Sequence, residues 1–184
     1  MSTETIPPQH KELLALNIPG SMSFLAPTIV DDLIRLGSFN DGGYVLPKSM
    51  ILETKFLVSM GIGDNWDFED HFLSSNPNIK VHAYDHTISL KKLKNEMTRR
   101  VRKLIYGKSN FKEVFKRINR HRKFKNFFQG KVRLYQERIC NRATASNVAD
   151  FQIVVKRADS NNIFLKMDIE GSEYLVIDDI IKNW

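Results

Sequence analysis

A single cysteine, Cys140, stands among the 184 residues. That scarcity excludes an internal disulfide and a cysteine-rich zinc site, and makes a reducing, cytoplasmic setting the expectation. Long hydrophobic runs are missing too: none approaches the roughly 18 apolar residues that a membrane-spanning helix needs. The opening Met1-Ser-Thr-Glu-Thr-Ile-Pro-Pro8 has no basic start followed by an apolar stretch, so no secretory signal is expected. Internal repeats and low-complexity tracts are lacking. Acidic residues are scarce in one place. Between Lys91 and Arg133 only Glu96 and Glu113 oppose 17 basic residues, whereas the rest of the chain holds 11 basic and 19 acidic. An acidic body with a basic middle reads as an insertion on a host fold.

The composition that remains, 42% hydrophobic and 27% charged with a net charge of +7, is that of one soluble globular domain rather than a disordered chain. Residues 1–26 carry Pro7, Pro8, Pro19 and Gly20 around the short apolar Leu13-Leu14-Ala15-Leu16 and read as a loosely packed lead-in. Ile29, Leu33, Ile34 and Leu36 then recur at helical spacing, predicting a short amphipathic helix that ends near Gly37. Asn40-Asp41-Gly42-Gly43 supplies residues that tolerate positive φ, as a tight hairpin turn requires.

The core alternates strand-like and helix-like segments. Lys55–Met60 is an apolar run entering Gly61-Ile62-Gly63, the pattern of a buried strand before a glycine turn. Trp66–Leu73 suits a helix. Ile79–Tyr84 is a second strand ending on Asp85, Lys131–Tyr135 a third, and Ile163–Met167 a fourth ending on Asp168 before a helix toward Trp184. This succession predicts an open, mostly parallel α/β sheet with flanking helices. About 45 residues separate strands two and three, longer than a usual crossover. Leu90, Leu93, Met97, Val101 and Leu104 form one apolar stripe there; Phe111, Val114, Phe115 and Ile118 form another, and Phe124, Phe127 and Phe128 close the segment. Two or three basic helices are expected over 88–130, with apolar faces on the body and Lys and Arg in solvent.

Chemistry concentrates at the strand ends. A strand ending in Gly-x-Gly lets backbone approach a ligand closely, and a carboxylate about twenty residues on, here Asp85, accepts hydrogen bonds from ribose hydroxyls. Trp66 stands where a dinucleotide fingerprint would carry its third glycine, so a ribose ligand without a phosphate, such as S-adenosylmethionine, suits the turn better. Asp168, Glu170 and Glu173 cluster where the fourth strand gives way to a helix. Glu173 fits a role on the helix N-terminus, and the strand end directs Asp168 toward the ligand crevice.

Leu165-Lys-Met-Asp-Ile-Glu-Gly-Ser-Glu-Tyr174 closely resembles the signature of the FkbM family of S-adenosylmethionine-dependent methyltransferases. Ser59-Met-Gly-Ile-Gly-Asp64 with Phe68-Glu69 is similar to the cofactor motif at the first strand of such enzymes. Val81–Asp85 is similar to the second-strand segment, and Asn40–Leu46 to a segment ahead of the core. The resemblance covers roughly 35–86 and 131–180. It implies a Rossmann-like fold, with Gly61, Gly63, Asp64 and Asp85 at the cofactor. Asp168 and Glu170 would then lie on the reaction face, Asp168 as the base for an oxygen nucleophile and His82 and His86 as weaker candidates. It implies transfer of a methyl group, and the acceptor expected is an oxygen of a small or sugar-like molecule. The acidic cluster would suit magnesium, but no His/carboxylate spacing supports a metal.

The family core has seven strands, so the expectation is a lead-in over 1–36 followed by a partial domain over 37–184, with one side of the fourth strand open to self-association. The alternatives are a non-catalytic module that keeps the cofactor fold, and a nucleic-acid-associated protein acting through the basic helices. The helical spacing of Phe111, Phe115, Phe124, Phe127 and Phe128 favours core packing over base stacking, which ranks nucleic acid below a lid or docking surface for an anionic partner.

Overall fold

The computed structural model describes residues 20–25, 29–39, 42–143 and 145–183. Residues 1–19 and 26–28 of the expected lead-in, Asn40 and Asp41 of the expected hairpin turn, Thr144 and Trp184 lie outside the described residues. A short 3₁₀ segment, Gly20–Leu25, precedes an antiparallel hairpin of β1 (Leu33–Gly37) and β2 (Gly43–Pro47). Then come α1 (Lys48–Glu53), β3 (Phe56–Met60), α2 (Asp67–Ser75) and β4 (Lys80–Tyr84). Two long helices, α3 (Leu90–Ile105) and α4 (Phe111–Phe127), lead to β5 (Val132–Tyr135). A two-residue pairing of β6 (Arg138–Ile139) with β7 (Val148–Ala149) precedes α5 (Phe151–Ala158), β8 (Ile163–Met167) and α6 (Glu173–Asn183).

β5, β4, β3 and β8 form one parallel four-stranded sheet in that spatial order. Counting only these four in chain order gives 3-2-1-4, the order of a doubly wound α/β sheet through its switch point, which lies between β3 and β8. The sheet is covered on both faces, as parallel sheets require. Phe56, Val58 and Met60 of β3 pack with Tyr84 against Phe151, Val154 and Ala158 of α5 and Val176 of α6. The alternate residue Leu57 packs with Val81 and Val132 against Phe68 and Phe72 of α2 and Ile34 and Leu36 of the hairpin. Every residue of β3 is buried, as its apolar run foretells for a central strand. β8 is at the sheet edge and has no strand on its outer side among the described residues.

The expected helix over Ile29–Gly37 is a strand instead. Ile34 and Leu36 are buried while Arg35 between them is exposed, a period of two within five residues. Ile29, which completed the helical pattern, is exposed and outside any element. The antiparallel partner β2 decides the matter by pairing along the full length of β1.

The basic segment does form two helices, with N-caps at Ser89 and Asn110, whose side chains accept from the Lys92 and Glu113 amides. Both of its acids are paired across the helices: Arg100 reaches Glu113 at 2.7 Å and Arg117 reaches Glu96 at 2.7 Å. Leu93 and Phe124 anchor the pair on Ile62, Trp66, Ala83 and Ile88. The apolar stripes do not wholly face the body, however. Val114 is buried, but Leu90, Val101, Phe111, Phe115 and Ile118 are exposed. For Phe111 and Phe115 the reason is reach, because a 16-residue helix is about 24 Å long and its partner's far end outruns the surface the pair packs on.

His82, in the middle of β4, is buried with its ring against Phe56 and Tyr135. Burial, reinforced by the nearby positive charges of Arg133, Arg157 and Lys80, lowers its pKa from 6.5 to about 4. It is therefore neutral in the folded protein where an unfolded chain would be charged. Stability should fall as pH drops from about 6.5 to about 4, with a contribution from this group of up to about 3 kcal/mol. Urea titrations across that interval check this. The His82→Leu protein should lose that part of the slope, and an unchanged slope would refute the assignment.

Candidate functional site

The carboxyl ends of β3, β4 and β8 open into one crevice of about 320 Å³. It lies where open α/β sheets take ligands, outside the strand ends at the switch point, and its size falls at the small end of the small-molecule range. Gly61, Gly63, Asp64, Asp85, Asp168 and Glu170 all line it, so the six candidates drawn from separate stretches of sequence meet in one place. With Glu137, five carboxylates line the crevice; Asp64 and Glu137 are ion-paired with Arg120 and Arg157, which leaves Asp85, Asp168 and Glu170 against the lining cations Arg138 and Lys166. Such a lining favours a cationic or neutral ligand over a diphosphate.

The glycine turn is built differently from the sequence expectation. Gly61 sits at φ +75°, and a Cβ there would meet the Asp168 carbonyl oxygen at 1.7 Å. Its missing side chain serves the close approach of the β3 and β8 ends. Gly63, at φ +50°, has nothing within 4 Å of where a Cβ would project, and this is the residue whose surroundings leave room beside the backbone. Asp85 holds the turn in shape. One oxygen accepts from the Ile62 and Gly63 amides at 3.1 and 2.7 Å, and the other accepts from the Thr87 amide and hydroxyl, both at 2.6 Å. Those four bonds fill the usual acceptor capacity of a carboxylate. Burial pushes the Asp85 carboxyl up, but the bonds from Thr87, Gly63 and Ile62 outweigh it and hold the carboxyl below its ordinary value. Asp64, read as a cofactor residue, is ion-paired with Arg120 of α4 and so ties the basic helices to the rim of the crevice.

The acidic turn after β8 sorts its members by role. Glu173 accepts from the Ile169 and Gly171 amides, each at 2.7 Å, which is the helix-start role expected of it. Its carboxyl is held below the ordinary value by backbone donors, its own amide first and then that of Ile169. Glu170 takes a left-handed conformation, φ +52°, and both it and Asp168 are exposed to the crevice. Asp168 continues the β8 register through its amide to Met60, and its side chain accepts from the Tyr44 hydroxyl at 3.2 Å. Tyr44 comes from β2, so the hairpin contributes to the site.

Beneath the crevice lies a polar cluster that the sequence reading did not single out as a unit. Lys166, nearly buried on β8, donates to the Gly61 carbonyl at 2.5 Å and stands 3.7 Å from Glu69. Glu69 of α2 is fully buried and accepts from the Ser59 hydroxyl at 2.5 Å. Burial raises its carboxyl above the ordinary value against the pull of Lys166 and Ser59. The signal was present as charges in buried registers: Lys166 interrupts an apolar strand, and Glu69 stands between the buried Phe68 and Phe72. Along the other wall Tyr84 is buried and stacks on Tyr135 at 4.8 Å, and burial pushes its hydroxyl up to about 12. Arg157 lies over the Tyr135 ring and forks onto Glu137 at 2.5 and 3.2 Å. His86 lines the crevice, whereas His82 is neutral within the sheet, away from it. Among the described residues no group of three or more metal-ligating side chains is gathered to hold an ion.

The chain matches no protein-family model, and neither curated proteins nor solved structures include a match to it.

Two substitutions separate the two glycines. Gly61→Ala combines backbone collision with positive φ and should cost about 3–5 kcal/mol, while Gly63→Ala should cost only about 1–2 kcal/mol. Equal losses in denaturant titrations would refute the distinction. Asp85→Asn should lose about 1–3 kcal/mol of stability at neutral pH. Because the folded carboxyl titrates below its unfolded value, this contribution is present above about pH 4 and disappears as pH falls through the lower folded value. The variant should therefore show a shallower acid limb in the same titrations.

Proposed function

We propose that the crevice binds S-adenosylmethionine and that the protein transfers its methyl group to an oxygen of a small or sugar-like acceptor. The observation that carries this reading is convergence: the glycine turn of β3, the carboxylate ending β4 and the acidic turn ending β8 line one carboxylate-rich crevice at the switch point. The cofactor supplies an electrophilic methyl on a positively charged sulfonium, and a surplus of carboxylates suits that charge. The open space beside Gly63 leaves room for close backbone approach. Asp85 fits a ribose with one exchange, since the Thr87 hydroxyl donates to it where a sugar hydroxyl would.

Methyl transfer is an in-line displacement, so the chain's main task is alignment of the acceptor. Asp168 is exposed in the crevice and oriented by the Tyr44 hydroxyl, which suits it to take the acceptor proton. Glu170 stands beside it as a second acceptor-facing carboxylate. The outer edge of β8, which has no partner strand among the described residues, supports self-association there, in line with the hazard of an apolar edge strand. Light scattering showing a monomer at high concentration would argue against it.

Calorimetry with S-adenosylmethionine is the deciding experiment. The intact protein should bind, and Asp85→Asn should weaken binding by about tenfold or more, the loss of a charged hydrogen bond. Thr87→Val should not weaken it, because a ribose hydroxyl takes over that bond. Asp168→Asn should keep binding and lose turnover. Absence of binding to the intact protein would sink the proposal, and binding with no transfer to any oxygen acceptor would leave a non-catalytic cofactor module.

A further inference from the structure

The distal end of the α3–α4 pair presents apolar side chains that the body does not cover. Ile105 and Tyr106 are each 76% exposed, Phe111 is 80% and Phe115 is 65%. They lie within eleven consecutive residues around the turn that joins the helices. The anchors Leu93 and Phe124 are at the opposite end, about 18 Å away along α3. Isolated exposed apolar residues are ordinary, whereas a contiguous group with aromatics marks an interaction surface.

The charge around this tip identifies the occupant. Between residues 99 and 118 there are eight basic residues and one acid. The acid, Glu113, is paired with Arg100, and Arg99, Arg102, Lys103, Lys108, Lys112 and Lys116 are all exposed. An apolar tip ringed by cations fits a surface that is apolar inside and anionic outside. We propose that the α3–α4 tip docks the protein on an anionic lipid surface, with Ile105, Tyr106, Phe111 and Phe115 entering the headgroup boundary and the surrounding Lys and Arg on the acidic headgroups. Ile105, the last residue of α3, has no ring for base stacking, whereas its sec-butyl side chain enters a headgroup boundary as readily as the aromatics do, which favours lipid over a single-stranded nucleic acid. No described helix is long and apolar enough to cross a membrane, so the association is peripheral. The docking sits on helices tied to the crevice rim by Arg120 and Asp64 and does not depend on what the crevice binds.

Vesicle sedimentation tests it with the full chain. Binding to phosphatidylcholine vesicles holding about 30% phosphatidylserine should exceed binding to phosphatidylcholine alone by about tenfold or more and should weaken with salt. The double variant Ile105→Ser, Phe111→Ser should lower that binding by about tenfold, and Lys103→Glu with Lys108→Glu by at least as much. Because all four side chains are exposed, thermal midpoints should match the parent. No binding to the anionic vesicles would overturn the proposal. So would binding that survives the apolar substitutions, a self-associated species that dissociates in the double variant, or tighter binding to duplex DNA or RNA than to the vesicles.

Discussion

The crevice depends on one carboxylate. Asp85 stands at the end of β4 and gathers two amides of the neighbouring glycine turn and two donors of Thr87. The Ile62 and Gly63 amides lie beyond the sheet ladder and are met by this side chain from the adjacent strand, so the shape of the turn depends on it. The geometry follows from parallel pairing in register, which sets Met60 beside Tyr84 and so places Asp85 next to Gly61. On the same side the Gly61 amide donates to the Tyr84 carbonyl, and from β8 on the other side the Asp168 amide donates to the Met60 carbonyl. Three strand ends are thereby locked at a common level, and the functional side chains inherit that level.

Beneath this layer the protein buries charge. The Ser59, Glu69 and Lys166 cluster joins β3, α2 and β8. A buried ion pair gives little net stability because desolvation offsets attraction, but removing one partner leaves an expensive lone charge. Here the ammonium also meets the Gly61 carbonyl, so the cluster couples the position of α2 to the floor of the crevice. An apolar replacement of the trio would fill the space without fixing that relation.

Much of this was legible in the sequence. The four core strands stand where mostly apolar runs predicted them, because a parallel strand covered on both faces is largely apolar, and a glycine or acid marks the end of three of them. The convergence of Gly61, Asp85 and Asp168 followed from strand ends alone. Three things were not legible. Leu33–Gly37 imitated a helix because Ile29, Leu33 and Leu36 match that spacing, and only the pairing partner β2 shows the period of two. The packing of Gly61 against the Asp168 carbonyl was hidden because a sequence does not show which backbone passes within contact distance. The stripes of α3 and α4 read as core faces because periodicity reports amphipathicity and not how far the covering body extends.

The register of β3 against β8 has a consequence in time. Phe56 and Ile163 are partners in the sheet yet lie about a hundred residues apart in the chain. During synthesis at about 5–20 residues per second, β3 waits roughly 5–20 s for the strand that covers its second edge. Throughout that interval a mostly apolar strand offers an unpaired row of amides and carbonyls, with β4 on one side only. The basic helices emerge within the same interval, and their charge keeps the unfinished chain solvated while the edge stays open.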